Sequence, residues 1–117
     1  MTIQNDRGLI DISNEVFTVI SGNAATNCFG VKGMAYRNVK DGIVGLLKKE
    51  NMSKGVKVSF EDGQVSIELH IVVEHGVNIT AVCQSIMSEV SYKVEQLTRV
   101  KVKSVNVCVD SITVEQK

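Results

Sequence analysis

Two alternating runs joined by Asp62 and Gly63 constrain the fold of this chain more than any other feature. Apolar side chains recur at every second position through residues 56–60 and again through 65–73. Period-two alternation is typical of a strand with one buried face, and Asp-Gly is the favoured pair for a two-residue type I′ turn. The sequence therefore predicts a β-hairpin over residues 56–73.

The two-residue turn also predicts the register of this hairpin. It sets the following residues opposite one another: Glu61 and Gln64, Phe60 and Val65, Val58 and Ile67, Val56 and Leu69. On the other face Lys57 falls across from Glu68, which is a favourable charge pair. A slip of one residue would destroy both matches, so the register is well specified.

Composition places the chain among ordinary globular proteins. Its 117 residues are 44% hydrophobic and 22% charged, and 13 basic residues balance 13 acidic ones. We expect a single domain over residues 1–117, with loose termini at 1–7 and 113–117. A neutral chain argues against a general electrostatic attraction to nucleic acid or membrane.

The expected compartment is the cytoplasm. The sequence shows neither a signal-peptide pattern nor an apolar run of membrane-spanning length. Its three cysteines, Cys28, Cys83 and Cys108, lack CxxC spacing, which favours reduced thiols.

The remaining elements are predicted from periodicity and capping residues. A short strand over 9–12 precedes a helix that Ser13 or Asn14 caps and that Gly30 ends. Its helical spacing is carried by Val16, Val19, Ile20, Asn23, Ala24 and Asn27. A loop over 30–34 and a weak helix over about 38–49 follow.

The strongest helix prediction follows the hairpin, because a stripe runs along one face of residues 79–97: Ile79, Val82, Cys83, Ile86, Val90, Val94 and Leu97. Asn78 or Thr80 can cap this helix. A last strand runs through 105–109, and a change of parity predicts a bulge at Lys103-Ser104.

These elements predict an α+β fold with two layers. A mixed sheet of three to four strands has helices on one face, in the order β-α-(α)-β-β-α-β. The other face carries polar side chains, and we interpret it as a possible interaction surface formed by Lys57, Ser59, Glu68, His70, Asn106, Cys108 and Asp110.

Residues capable of chemistry are few. His70 and Cys108 share one face, but a nucleophilic thiol needs a base and an orienting group in a pocket, which an open sheet face does not offer. His75 has no partner at metal-ligand spacing. We therefore predict no catalytic residue, no cofactor and no metal, and expect the chain not to be an enzyme.

Nucleic-acid binding is the alternative that the sequence leaves open. Gly30-Val31-Lys32-Gly33 matches the GxxG loop of KH domains, which clamps a nucleic-acid backbone. Residues 30–55 contain six basic and two acidic side chains, among them Arg37 and Lys40. The alternative site is therefore Gly30, Lys32, Gly33, Arg37 and Lys40.

An ordered succession of short motifs extends from Gly8 to Ile112. The motifs are Gly8-Leu9-Ile10-Asp11-Ile12-Ser13, Ala24-Ala25 with Gly30-Val31, Gly55-Val56-Lys57-Val58, the strand over 65–73, Gly76-Val77-Asn78-Ile79, and Val105-Asn106-Val107. This succession resembles the alkaline shock protein or general stress protein family of Gram-positive bacteria, in its short single-domain branch. The chain departs from that family at Thr80, where proline is frequent, and at Arg99-Val100, where Gly-Leu is frequent.

The resemblance implies a non-enzymatic protein-interaction module in cell-envelope stress and homeostasis. It implies protein partners, which could be a second copy, a membrane-anchor protein or a neighbouring kinase-like protein, and hence membrane association through a partner without insertion. A thiol or metal enzyme that uses His70, His75 or Cys108 ranks behind the RNA-binding alternative.

Overall fold

The computed structural model describes residues 1–38, 43–46 and 55–113, with backbone alone for 36–38 and 43–46. Its elements follow the chain as β1 (Thr2–Asn5), β2 (Gly8–Asp11), α1 (Asn14–Thr26), β3 (Val31–Asn38), β4 (Ile43–Leu46), β5 (Val56–Glu61), β6 (Gln64–Val73), α2 (Ile79–Thr98) and β7 (Lys101–Ile112).

The central hairpin has the predicted register. Asp62 and Gly63 both have positive φ angles, 52° and 75°, as a type I′ turn requires. All four predicted apolar and turn pairs between β5 and β6 are present, and Lys57 lies opposite Glu68. The alternating pattern and the turn residues together therefore determined this part of the sheet.

Strand β6 organises a five-stranded mixed sheet. Its residues 64–69 pair with β5, and its residues 71–73 pair with the start of β3, both antiparallel. Strand β7 runs parallel along β6 from Gln64 to Val73. Strand β7 occupies one whole edge of β6. Strands β5 and β3 therefore lie end to end along the opposite edge of β6, and the second half of β3 pairs with β4.

The segment after α1 differs from the prediction. The expected loop over 30–34 is instead the beginning of β3, and residues 43–46 of the expected weak helix form β4. Among the described residues the sheet thus has five strands instead of the predicted three to four. Ile43 and Val44 are β-branched, and Gly45 weakens a helix, so pairing with β3 outweighs the weak helical periodicity. Residues 39–42 and 47–49 of that predicted helix lie outside the described residues.

The N-terminus is also more ordered than predicted. Thr2–Asn5 pairs with Gly8–Asp11 in a separate two-stranded ribbon, with Ile3 opposite Ile10. The expectation of a loose segment over 1–7 is wrong for these residues, because Ile3 packs against the core and holds the ribbon there. Residues 114–117 lie outside the described residues.

Both helices cover the apolar face of the sheet, so the predicted α+β, two-layer fold is confirmed. Helix α2 spans the predicted range, and the Asn78 side chain accepts a hydrogen bond from the Ala81 amide over 3.1 Å. Its buried stripe contains Val82, Ile86, Val90 and Val94 and ends on Thr98, leaving Leu97 64% exposed.

Helix α1 is rotated relative to the predicted face. It buries Phe17, Ser21, Ala24 and Ala25, whereas Val16 and Val19 are exposed. It ends at Thr26 with Asn27 as its C-cap, so Gly30 does not end the helix. The small side chains of Ala24 and Ala25 are buried where α1 packs on the sheet, and small residues allow a helix to approach a sheet closely.

Candidate functional site

The seven polar residues predicted to share a face do lie together on the open face of the sheet. Across β5, β6 and β7, Lys57 is opposite Glu68, Glu68 is opposite Asn106, and His70 is opposite Cys108. Ser59 and Asp110 complete this group. We call these seven residues, Lys57, Ser59, Glu68, His70, Asn106, Cys108 and Asp110, the open-face group; their role in binding stays a prediction.

Two irregularities in β7 shape this face. The ladder with β6 shifts register between Val65 and Ser66 and again between Ile71 and Val72. The first shift sets Lys103 outside the pairing, which confirms the predicted bulge. The second does the same for Asp110. A bulge re-aims a side chain, and this one brings the Asp110 carboxylate to His70.

His70 is held between two carboxylates. Its Nδ1 lies 3.0 Å from Asp110 Oδ2, and its Nε2 lies 3.0 Å from Glu68 Oε2. The Asp110 side chain is only 13% exposed, against 27% for His70 and 40% for Glu68. Asp110 therefore holds the imidazole from the buried side, and Glu68 contacts it from the solvent side.

Cys108 adds a thiol to the same cluster. Its Sγ, a Glu68 carboxylate oxygen and one ring nitrogen of His70 all lie within 4.8 Å of one another. Burial raises the pKa of the Cys108 thiol, the nearby Glu68 and Asp110 carboxylates raise it further, and Lys57 offsets part of the rise. The thiol is therefore protonated at neutral pH, unlike an activated nucleophile.

Lys57 is the cation at the edge of this cluster. Its Nζ lies 3.9 Å from Glu68 Oε2, and its side chain is 76% exposed. Because the Lys57 ammonium is surrounded mostly by water, it balances the negative charge of Glu68 only weakly. The cluster of Glu68, His70, Cys108 and Asp110 thus carries two carboxylates and one loosely associated lysine.

The alternative nucleic-acid loop has a different context from the one predicted. Gly30 is buried with φ of 88°, and Val31 already begins β3, so Lys32 and Gly33 lie in a strand. A KH-type GxxG loop followed by a helix is therefore not formed at this position. Arg37 lies in the backbone-only part of β3, and Lys40 lies outside the described residues.

The other candidate positions are separate from the open face. His75 lies in the exposed turn between β6 and α2. Three surface depressions of described residues lie beside α1, between α1 and α2, and at the α2–β7 turn, and none of these three is lined by His70 or Cys108.

Sequence reasoning identified the members of the cluster but missed their contacts. Face parity placed Glu68, His70, Cys108 and Asp110 on one face but did not predict the hydrogen bonds among them. The contact of Asp110 with His70 lies at the second bulge, which the change of parity between Val109 and Ile112 could have indicated.

No helix among the described residues is both long and apolar enough to cross a membrane.

Solved structures share the fold. The MamM CTD in its copper form aligns with a TM-score of 0.56 at 12% identity, over 89% of this chain and 91% of that one. A doubly substituted variant of the MamM CTD aligns with a TM-score of 0.57, also at 12% identity, over 91% and 100%. At such low identity the likeness concerns the architecture of helices on a sheet.

Sequence relatives cover nearly the whole chain. The uncharacterized protein YloU of Bacillus subtilis strain 168 is 43% identical over 108 residues, which are 92% of this chain and 90% of that protein. The uncharacterized protein Spy1614 of Streptococcus pyogenes serotype M6 is 37% identical over 113 residues, or 96% and 93%. YqhY of the same Bacillus strain is 32% identical over 110 residues, or 94% and 81%.

A family model accounts for residues 2–114, and its description gives a cell envelope-related function. The match covers both helices and every described strand, including the open-face group. The resemblance read from the motifs is therefore confirmed, and this chain belongs to the alkaline shock protein 23 family.

Proposed function

We propose that this chain is a non-enzymatic protein-interaction module of cell-envelope homeostasis. The observation that carries the proposal is the open-face group, a continuous polar surface on a rigid sheet in a member of an envelope-related family. The opposite face of the sheet is buried under α1 and α2, so the open face is the broad surface that the sheet offers to a partner.

The chemistry of the cluster supports a role other than catalysis. Both ring nitrogens of His70 are engaged by carboxylates, so neither is directed at the Cys108 thiol as a general base. The raised pKa of Cys108 keeps that thiol in its weakly nucleophilic form. Both features fit a surface that recognises a partner through charge and hydrogen bonds.

The expected partners are proteins. The candidates are those that the resemblance of the motifs implies, namely a membrane-anchor protein, a kinase-like protein or a second copy of the chain, and through such a partner the module would reach the membrane from the cytoplasm. The open-face group mixes carboxylates, a lysine and small polar side chains, and such patterns set orientation and partner choice more than raw affinity.

The experiment is a pull-down with the tagged protein from native bacterial lysate, with identification of the captured proteins. Ser59→Arg with Asn106→Arg places two bulky cations on the open face, one of them directly opposite Glu68, without replacing any residue of the cluster. The matched control is Ser88→Arg with Gln96→Arg, two exposed positions on α2. Thermal unfolding of each variant shows that the fold is retained.

We expect identified envelope proteins in the wild-type and control samples and their loss in the open-face variant. Capture that is equal in all three samples would contradict the assignment of the surface, and a monomer that captures no protein would contradict the function. The same pull-down repeated with RNase tests the alternative. RNA recovered with the wild type, and partners lost after RNase treatment, would favour nucleic-acid binding through Lys32 and its neighbours.

A further inference from the structure

We propose that Cys108, His70 and Glu68 bind a divalent transition-metal ion of the zinc type, with Asp110 orienting the histidine. The three ligand atoms already lie within 4.8 Å of one another on adjacent strands β6 and β7. Thiolate, imidazole and carboxylate are the three ligand types that zinc sites use. The sequence predicts no metal here, because the ligands come from two strands 40 residues apart.

The hydrogen bonds of His70 identify the ligating nitrogen. Asp110, the less exposed carboxylate of the cluster, lies 3.0 Å from Nδ1. Because an ionised carboxylate only accepts hydrogen bonds, we assign the N–H of this contact to Nδ1, which leaves Nε2, on the side of Glu68, as the ligating nitrogen. A carboxylate behind a histidine in this way is the arrangement that metal-bound histidines adopt, because it fixes the tautomer and raises the basicity of the ligand.

The second carboxylate indicates a cation. The Glu68 oxygen lies 3.0 Å from Nε2, at the opposite end of the ring from Asp110, and one ring nitrogen of His70 and one oxygen of Glu68 lie within 4.8 Å of the Cys108 sulfur. The Lys57 ammonium is 3.9 Å from the same Glu68 oxygen, and because its side chain is 76% exposed it balances that charge only weakly. A divalent ion between Nε2, Glu68 and Cys108 would balance the carboxylate and use all three ligand atoms.

The distances suit a small adjustment on binding. Zinc bonds of about 2.0–2.3 Å place neighbouring ligand atoms in a tetrahedral site roughly 3.3–3.8 Å apart. The Nε2 and Oε2 atoms are slightly closer than this, and the cluster as a whole is somewhat wider. Rotation of the half-exposed Glu68 and Cys108 side chains closes the site, and its outer side stays open to water or to a donor from a partner.

Binding of Zn²⁺ to the purified, reduced full-length chain is measured by calorimetry, and Co²⁺ serves as a spectroscopic probe. We expect one equivalent to bind, with a thiolate-to-cobalt charge-transfer band that reports Cys108. Cys108→Ser should remove that band, and His70→Ala and Glu68→Gln should weaken binding. Asp110→Asn should weaken binding about 10- to 100-fold while the band persists, as expected for an orienting residue.

The chain supplies matched controls. Cys83→Ser and His75→Ala remove the same residue types elsewhere, and they should leave the stoichiometry, the affinity and the band unchanged. Circular dichroism confirms that each variant folds. Absence of Zn²⁺ binding would overturn the proposal. Binding that survives both Cys108→Ser and His70→Ala would place the ion elsewhere and overturn it as well.

Discussion

The rings of Phe17 and Phe60 meet edge to face, with centroids 5.3 Å apart and an angle of 69° between their planes. This contact joins α1 to β5, and so joins the helical layer to the edge of the central hairpin. Phe17 is completely buried, whereas Phe60 is partly buried beside the core. The pair anchors α1, the helix for which the sequence pattern predicted a different buried face.

Truncation at this contact should be among the most damaging single changes in the described residues. Phe17→Ala removes a fully buried ring, and we expect it to lower the free energy of unfolding by about 3–5 kcal/mol. Urea denaturation of Phe17→Leu, Phe60→Leu and the double variant measures the ring–ring coupling, expected at about 0.5–1.5 kcal/mol. Additive effects would show that the rings contribute through burial alone.

Ser21 offers a stabilising substitution. Its side chain is buried on α1, and its Oγ is without a hydrogen-bond partner among the described residues. Ser21→Ala removes an unpaired polar atom and improves helix propensity, so we expect a gain of about 1 kcal/mol in the free energy of unfolding. A loss on chemical denaturation would show that the hydroxyl has a bonding partner after all.

Thr98 provides the opposite case as a control for that experiment. Its Oγ1 donates to the Val94 carbonyl and accepts from the Val100 amide, at 2.6 Å and 3.1 Å. Thr98→Val keeps the shape and removes both bonds, and we expect a loss of about 1–3 kcal/mol because the Val100 amide is left unpaired. The two variants should therefore shift the urea midpoint in opposite directions.

Gly30 should tolerate no side chain. Its φ is 88°, and a Cβ there would lie 2.8 Å from Val82 Cγ2 and 3.3 Å from Val77 Cγ1. Gly63 has a similar φ of 75°, but a Cβ at Gly63 would have no other atom within 4 Å. We expect Gly63→Ala to cost about 1 kcal/mol from backbone strain, and Gly30→Ala to cost clearly more from strain and overlap together.

The contribution of the overlap can be isolated. In a Val82→Ala background the Gly30→Ala substitution should cost less than in the wild type, because the nearer contacting methyl group, Val82 Cγ2, is gone. Thermal or urea unfolding of the four proteins measures this difference. Equal costs in both backgrounds would show that the contact with Val82 contributes nothing. The same series shows whether Gly30 is structural, independently of any RNA binding.

Arg99 occupies a backbone conformation that suits glycine. It ends α2 with φ of 63° and ψ of 13°, in the left-handed region that glycine adopts without strain. The helix therefore exits in the usual C-cap conformation without a glycine. Arg99→Gly should raise the free energy of unfolding by about 1 kcal/mol, whereas Arg99→Ala should bring no such gain. A gain with alanine as well would point to the charge instead.

The cysteines predict a pH dependence. Burial raises the pKa of the Cys83 thiol. Burial also raises the pKa of the Cys28 thiol; a hydrogen bond with Ser85 offsets part of that rise, and the nearby Glu89 carboxylate adds to it. The pKa of Cys108 is raised too. The native chain thus holds thiol protons more tightly than the unfolded chain, so this contribution to stability is present at neutral pH and is lost as pH rises into the alkaline range.

Alkylation of the reduced protein measures this effect. The pH midpoint of the modification rate should lie higher in the native protein than in urea, because the thiolate forms later. Double substitutions to serine that leave a single cysteine assign the midpoint to each residue. A native midpoint equal to or below that of the unfolded chain would contradict the prediction.

Local signals predicted the parts of the fold that local chemistry determines. The register of β5 and β6 follows from Asp62-Gly63 and the alternating residues, and the start of α2 follows from Asn78. The bulge at Lys103 was visible because the parity of the apolar residues changes there. In each case the neighbours that decide the structure lie within a few residues.

Tertiary pairing decided the remainder. Ile43–Leu46 forms a strand because β3 is beside it, and that neighbour is invisible in a helical periodicity count. Helix α1 differs from its predicted orientation because Phe17 faces the core and packs against Phe60, 43 residues further along the chain. The open face was predicted from parity, whereas the carboxylate–histidine–carboxylate contacts lie at a second bulge, whose mark in the sequence is the change of parity between Val109 and Ile112. The prediction did not use that change.

The position of β6 has a consequence for how the molecule opens. This strand is bonded to β5, β3 and β7, so exposing its amides to solvent means separating three partners at once. Hydrogen exchange of the β6 amides should therefore follow global unfolding, whereas the β1–β2 ribbon can exchange by local fraying. Since Glu68 and His70 lie on this strand, we expect the centre of the open-face group to be its least deformable part.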